Sequence, residues 1–207
     1  MQPRQILYFL FFSPALLAQT NRGADYRGGL VTPPLPKPRF VLADTAGRPF
    51  DFSRETKGYV TLLFFGYASC PDQCPMHLAN LSAAFKRLPP GLADQVKFVF
   101  VTTDPARDTA QVLRHWLDLF DPRFVGLTGT GGAIAAVQRM AGVPLAQRSA
   151  AAAGGGYAVA HANFVLAYTK DDRAHIIYPG GVSSEDWVHD LPRLIHETWA
   201  GSMGGGQ

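Results

Sequence analysis

The stretch Tyr59-Val60-Thr61-Leu62-Leu63-Phe64-Phe65-Gly66-Tyr67-Ala68-Ser69-Cys70-Pro71-Asp72-Gln73-Cys74-Pro75 changes character in its middle. Its first seven residues are almost continuously apolar or β-branched, the composition of a central strand covered on both faces. From Pro75 onward the period changes, with Leu78, Leu81, Phe85 and Leu88 recurring at helical spacing. Pro75 suits the first turn of that helix, where its missing amide hydrogen would have had no partner. A buried strand therefore gives way to a helix across a loop that carries the chain's two cysteines, Cys70 and Cys74.

Working outward, Phe40-Val41-Leu42 and Pro49-Phe50-Asp51 flank the turn-forming Asp44-Thr45-Ala46-Gly47-Arg48 and predict a small hairpin. Downstream, 96–102 reads as the next strand and Asp104-Pro105-Ala106-Arg107-Asp108 as its loop. Asp108, with Gln111 three residues on, predicts a cap for a helix bearing Val112, Leu113, Trp116, Leu117 and Phe120. A short strand at 124–127 leads to a helix carrying Ile134, Val137 and Met140. The alanine and glycine run at 150–156 offers little to bury and reads as a mobile loop. Residues 157–168 and 175–178 predict an antiparallel pair around Thr169-Lys170-Asp171-Asp172. Ser183-Ser184-Glu185-Asp186 caps a last helix with Trp187, Leu191, Leu194 and Ile195. This alternation predicts an α/β domain with helices on both faces of its sheet, and it sets the cysteines beyond the C-terminal edge of the first buried strand.

The whole chain, 22.5 kDa and 47% apolar, supports one domain with a sizeable core. Its formal charge is +3, with no block of like charge and no basic stripe interleaved with aromatics, which argues against nucleic-acid binding. Arg4 precedes an apolar run from Ile6 to Ala18, shorter than the ~20 residues of a comfortable membrane span. Residues 1–18 thus read as a signal peptide or short membrane anchor, 19–35 as a tether, 36–199 as the domain and 200–207 as a flexible tail. An extracytoplasmic destination would permit a Cys70-Cys74 disulfide, although two cysteines are too few for a disulfide-stapled scaffold. Signals for ordinary enzymes are missing: Gly129-Thr130-Gly131-Gly132 lacks the lysine of a phosphate loop, and neither a serine elbow nor an HExxH motif occurs.

At the start of a helix, free amides and the positive end of the dipole favour a thiolate at Cys74. Two chemistries follow for the pair: disulfide exchange, or coordination of a soft ion such as Cu(I) or zinc. The spacing by itself leaves both open.

Three ordered segments say more. Phe65-Gly66-Tyr67-Ala68-Ser69-Cys70-Pro71-Asp72-Gln73-Cys74-Pro75, then Val101-Thr102-Thr103-Asp104-Pro105-Ala106-Arg107-Asp108-Thr109, then Phe124-Val125-Gly126-Leu127-Thr128-Gly129 together resemble the SCO/SenC family of copper-handling proteins of cytochrome oxidase assembly. The front hairpin and Tyr157-Ala158-Val159-Ala160-His161 share the resemblance, which runs over residues 36 to 195. It implies a thioredoxin-like fold with an added N-terminal β-hairpin and flanking helices. It also implies a copper site, for Cu(I) and Cu(II), made of Cys70, Cys74 and His161. Asp104 and Asp72 are expected to support that site from its surroundings or to meet a partner. The implied partner is the copper-bearing subunit of cytochrome c oxidase or another periplasmic copper carrier, met in the periplasm or on the extracytoplasmic face of the inner membrane.

The reading that follows is a copper chaperone that delivers copper or prepares target thiols, not an ordinary enzyme. Its alternatives are a thiol–disulfide oxidoreductase or peroxide-reducing enzyme of thioredoxin-like fold, and a copper or redox sensor. Where the family often has serine after its histidine, this chain has Ala162. Among neighbours, His77 is expected to turn away from Cys70 by the helical period, and Met76 to cover the helix start. Tyr67 reads as rim and Phe65 as core. His115, His175, His189 and His196 lack soft partners nearby in sequence and read as solvated or structural.

Overall fold

The apolar run after Tyr59 is a strand whose residues 60–66 are all shielded from solvent. The computed structural model describes residues 25–149 and 156–199. In chain order the first strands and helices are β1 (Gly29–Pro36), β2 (Val41–Asp44), β3 (Pro49–Asp51), α1 (Phe52–Glu55), β4 (Val60–Gly66), α2 (Gln73–Arg87) and β5 (Val96–Thr102). There follow α3 (Ala110–Asp118), β6 (Val125–Thr128), α4 (Gly131–Met140), β7 (Gln147–Arg148), β8 (Val159–Ala160), β9 (Phe164–Tyr168), β10 (Arg173–Pro179) and α5 (Ser184–His196).

Eight strands form one mixed sheet in the order β1-β10-β9-β4-β5-β6-β2-β3. β4, β5 and β6 run parallel, and the strands outside them pair antiparallel. Because side chains alternate along a strand, Val60, Leu62 and Phe64 enter a core with Leu78 of α2, Leu113 of α3 and Leu191 of α5. Leu63 and Phe65 enter a second core with Phe52 of α1 and with Ile134 and Val137 of α4. Helices therefore cover both faces, as the alternation predicts. Each large side chain so buried stabilises the fold by ~1.5–3 kcal/mol before its ordering entropy is charged. The hairpin β2–β3 docks through Ala43 and Asp44 on Thr128 and Leu127 of β6, giving the thioredoxin-like arrangement its added front hairpin.

Four expectations change. The predicted tether contains β1, which pairs with β10 at Gly29↔Ile177 and Leu35↔Ala174 across a register shift. Its prolines at 33, 34 and 36 fit because an edge strand need not donate on its open side. The segment before it is also part of the domain: Tyr26 is buried and donates to Glu197 Oε2, while Asp190 Oδ2 accepts from Arg27 N at 2.8 Å. The cap of α3 is Thr109, whose Oγ1 accepts from Val112 N at 3.2 Å, and Asp108 turns inward instead. Val112 and Met140 are exposed at 45% and 49%, since Leu113 with Leu117, and Ile134 with Val137, take the inward faces of their helices.

The fourth change concerns 157–168. That stretch is broken: β8 pairs with β7, β9 joins the main sheet, and 161–163 lie between them without ladder bonds. The predicted capping box of the last helix holds, with Ser183 Oγ accepting from Asp186 N and Asp186 Oδ2 accepting from Ser183 N. The expectations for 1–18 and 200–207, and for most of 150–156, lie outside the described residues. Among the described residues, no helix is long and apolar enough to cross a membrane.

Candidate metal centre

β4 delivers the cysteine loop to the C-terminal edge of the sheet. A Cβ added at Gly66 would lie 2.7 Å from Cys74 Sγ and 3.0 Å from ring carbons of Phe100, so only glycine lets this sulfur pack against the strand end. Cys70 N donates to Tyr67 O at 3.1 Å, which turns the chain, and Cys74 N donates to Cys70 Sγ at 3.5 Å. Cys74 is fully buried and Cys70 half-buried. The loop is tied to the end of β5: Thr103 N and Oγ1 both donate to Gly66 O, at 2.6 and 3.0 Å. Asp108 completes the tie, its Oδ2 accepting from Ala68 N at 2.9 Å and from Thr102 Oγ1 at 2.6 Å. Burial pushes the Asp108 carboxyl above the ordinary carboxylate range.

The break between β8 and β9 supplies the third group. His161 Nε2 stands 3.4 Å from Cys74 Sγ. On the other side of the ring, Nδ1 lies 3.0 Å from Ala162 O. A carbonyl only accepts, so Nδ1 carries a hydrogen and Nε2 is the ring nitrogen that faces the sulfurs. Phe64 and Tyr67 meet the imidazole edge-on, with centroids 5.8 and 5.6 Å away.

The two thiols ionise very differently. A hydrogen bond from Cys74 holds the Cys70 thiol down to about 4, helped by the backbone N–H groups of Asp72 and Cys74 against the opposing effect of burial. The same bond, together with burial, pushes Cys74 up. One thiolate and one thiol therefore share the site at neutral pH. The helix start favours a thiolate at Cys74; the structure puts it on Cys70, because Cys74 donates the hydrogen bond between them and is the more deeply buried of the two. The ligand atoms of Cys70, Cys74 and His161 all lie within 4.8 Å of one another. Two sulfurs and an imidazole nitrogen suit Cu(I) through the thiolates and Cu(II) through the imidazole, and three donors leave a coordination position open.

The other singled-out residues surround this group in unequal ways. Asp72 is exposed; its carboxylate accepts from Gln73 Nε2 at 2.7 Å. Asp104 is fully buried, accepting from Tyr157 Oη at 2.7 Å, Arg148 Nη2 at 3.0 Å and Arg107 Nε. It touches the centre indirectly: the Arg107 guanidinium lies 5.6 Å from the Tyr67 ring, which packs on His161. Tyr67 is 4% exposed, so it is an inner wall and not a rim residue. Met76 is 39% exposed and leaves the helix start uncovered.

His77 turns away as the helical period predicts, its Nε2 lying 3.1 Å from Asn163 Oδ1. His175 pairs with Asp171 and stacks on Trp199, while His189 pairs with Asp190. Sequence reasoning missed the tie made by Asp108 and the involvement of Asn163. Asp108 stands in one of the three segments that carry the resemblance, but a plausible cap at its position masked it.

The sequence model of the SCO1/SenC family matches residues 32–196. A protein of Stutzerimonas stutzeri whose name refers to copper binding is 34% identical over 170 residues, which make up 80% of this chain and 81% of that protein. The solution structure of apo Sco1 from Thermus thermophilus is 31% identical, with a TM-score of 0.72 over 82% of this chain and 96% of its own. Bradyrhizobium japonicum ScoI, solved with copper bound, is also 31% identical, with a TM-score of 0.68 over 77% of this chain and 99% of its own. A match that spans residues 32–196, from within β1 to the end of α5, makes this chain a member of the SCO1/SenC family.

Proposed function

We propose that this protein is an extracytoplasmic copper chaperone that holds one copper ion through Cys70, Cys74 and His161. It delivers that ion to the copper centre of cytochrome c oxidase, or prepares the thiols of that centre. The observation that carries the reading is the convergence of two sulfurs and an imidazole nitrogen within 4.8 Å. Its support is the copper named in the Bradyrhizobium japonicum structure and the resemblance to the family of oxidase assembly. The extracytoplasmic setting rests on the apolar run from Ile6 to Ala18, read as part of a signal or anchor ahead of the domain.

The site's own groups set how cargo enters and leaves. Cys70 meets the ion already as a thiolate. Cys74 gives up its proton on loading, and His161 adds its Nε2 as the third donor. With three donors, an acceptor's thiolate or imidazole can join before any donor lets go, so the ion passes through a shared intermediate and is never free.

The thiolate–thiol pair also fits accessory thiol exchange with an acceptor disulfide. Cys70 sulfur attacks one acceptor sulfur and the other leaves as thiolate. Cys74 passes its proton to that leaving thiolate and its sulfur attacks Cys70 Sγ, breaking the mixed disulfide and expelling the acceptor's first sulfur; a Cys70-Cys74 disulfide and a reduced acceptor remain, two electrons having moved.

Anaerobic titration of the reduced, metal-free protein with Cu(I), repeated on His161→Ala, tests the reading. One tightly bound copper per chain is expected, with Cu(II) retention lost and thiol exchange largely kept in the variant. Failure to bind a single copper tightly, alongside enzyme-like turnover of disulfide or peroxide substrates, would sink it.

A further inference from the structure

His161 sits where the chain is least held by the sheet, because 161–163 carry no ladder bonds and β8 pairs with the two residues of β7. Phe64, Tyr67 and Ala162 O hold the ring itself; the turn that carries it must be held by something other than the ladder. The candidates are the hydrogen bonds of Asn163, two residues on. Its Oδ1 lies 3.1 Å from His77 Nε2, its Nδ2 donates to Gln73 Oε1 at 2.9 Å, and its carbonyl accepts from Gly180 N at 3.0 Å.

The directions of these bonds are mutually consistent. An amide oxygen accepts, so His77 carries its hydrogen on Nε2; Asn163 donates to Gln73, and Gln73 donates to the Asp72 carboxylate. His77 is 3% exposed and packs on Phe64 with centroids 4.9 Å apart, so its donor is fixed in place. A single chain of donors thus runs from α2, through the turn of His161, back to the loop between the cysteines. Gly180 leaves the room for it: a Cβ there would fall 2.1 Å from Asn163 Nδ2 and 2.8 Å from Gln73 Oε1.

We propose that Asn163, held by His77 and Gln73, is the positioning residue of the centre: it locks the turn of His161 to the helix that carries Cys74 and so sets the imidazole's approach to the sulfurs. This rests on the copper reading above. Cu(II) depends on the imidazole and Cu(I) is retained by two thiolates, so the two oxidation states separate its effect from a general loss of structure.

The variants are Asn163→Ala, Gly180→Ala, His77→Ala and the donor-keeping His77→Gln. Each is followed by Cu(II) affinity, Cu(I) affinity, thermal melting and, in metal-free protein, the NMR cross-relaxation between the Tyr67 and His161 rings. Asn163→Ala, Gly180→Ala and His77→Ala are expected to weaken Cu(II) binding about 10- to 100-fold while changing Cu(I) affinity less than about threefold. The same three should weaken the Tyr67–His161 signal, and His77→Gln should restore both readouts.

Wild-type Cu(II) affinity and ring contact in Asn163→Ala would overturn the proposal. So would His77→Gln as impaired as His77→Ala, or parallel losses of Cu(I), Cu(II) and melting temperature. Should the wild type bind no copper, the function proposed above fails on its own. The ring contact in metal-free Asn163→Ala then still decides the positioning role.

Discussion

Cys74 and His161 are 87 residues apart in the chain, yet Sγ and Nε2 stand 3.4 Å from each other. The contact joins the first turn of α2 to the break between β8 and β9, and it exists because β4 and β9 are neighbours in the sheet. Anything that shifts either strand end therefore changes this contact.

Alkylation should report the asymmetry of the pair. An ordinary cysteine reacts with a midpoint near ~8.5, whereas Cys70 should keep reacting with iodoacetamide well into the acid range, with its rate falling off near about 4. Cys74, buried and held as a thiol, should stay unmodified over that range. Peptide mapping by mass spectrometry across a pH series checks this, and a Cys70 midpoint of ~8 or above would contradict it.

Copper loading should release protons in a definite number. Near neutral pH Cys70 has already lost its proton and Cys74 has not, so Cu(I) binding should liberate about one proton per chain. Calorimetry in buffers of different ionisation enthalpy measures the number. Values near zero or two would exclude this charge state.

Gly66→Ala should couple stability to binding. The new Cβ meets Cys74 Sγ and two Phe100 carbons, part of a packed core with little room to give. A loss of about 1–3 kcal/mol in urea denaturation is expected, together with weakened copper binding as the sulfur is pushed from His161. Wild-type stability would show that the strand end yields more than these distances allow.

Asp108 offers a pH test. Burial raises its carboxyl in the folded state, so its favourable contribution is full below the unfolded pKa and is lost as pH rises through the folded value. Asp108→Asn keeps an oxygen for Ala68 N and Thr102 Oγ1 and lacks that loss. Its stability relative to wild type should thus rise between pH ~4 and ~7. Asp108→Ala strands both donors and should cost about 1–3 kcal/mol at either pH. Matched urea melts of the three proteins decide.

The N-terminal boundary can be tested by length. A chain begun at residue 25 keeps Tyr26 and β1; one begun at residue 37 loses both. The shorter chain should lose at least ~1.5–3 kcal/mol from the Tyr26 side chain alone and expose the edge of β10. Equal melting temperatures would return 25–36 to the role of a tether.

Much of this architecture is legible residue by residue. The run at 60–66 is apolar on both alternating sets because it is covered on both faces, and Ser183 with Asp186 caps a helix because the cap is a contact across three residues. Where reading failed, a local pattern hid a distant partner. Asp108 has the form of a helix cap, but its bonds go to Ala68, 40 residues away, and to Thr102. The prolines of 33–36 look like tether until the open edge of β10 is known to receive them. For His161, the residues around it read as a strand end, and the family resemblance supplied the histidine before any geometry did.

Sequence alone determined the alternation of elements, the loop that carries both cysteines and the soft character of their chemistry. All three depend on neighbours within a turn or a strand length, which periodicity records. Tertiary structure decided how near His161 comes to the sulfurs, which of the two thiols is ionised and what holds the turn of His161. Those outcomes arise from sheet order and burial. They bring together groups dozens of residues apart, and such contacts leave no periodic trace in the chain.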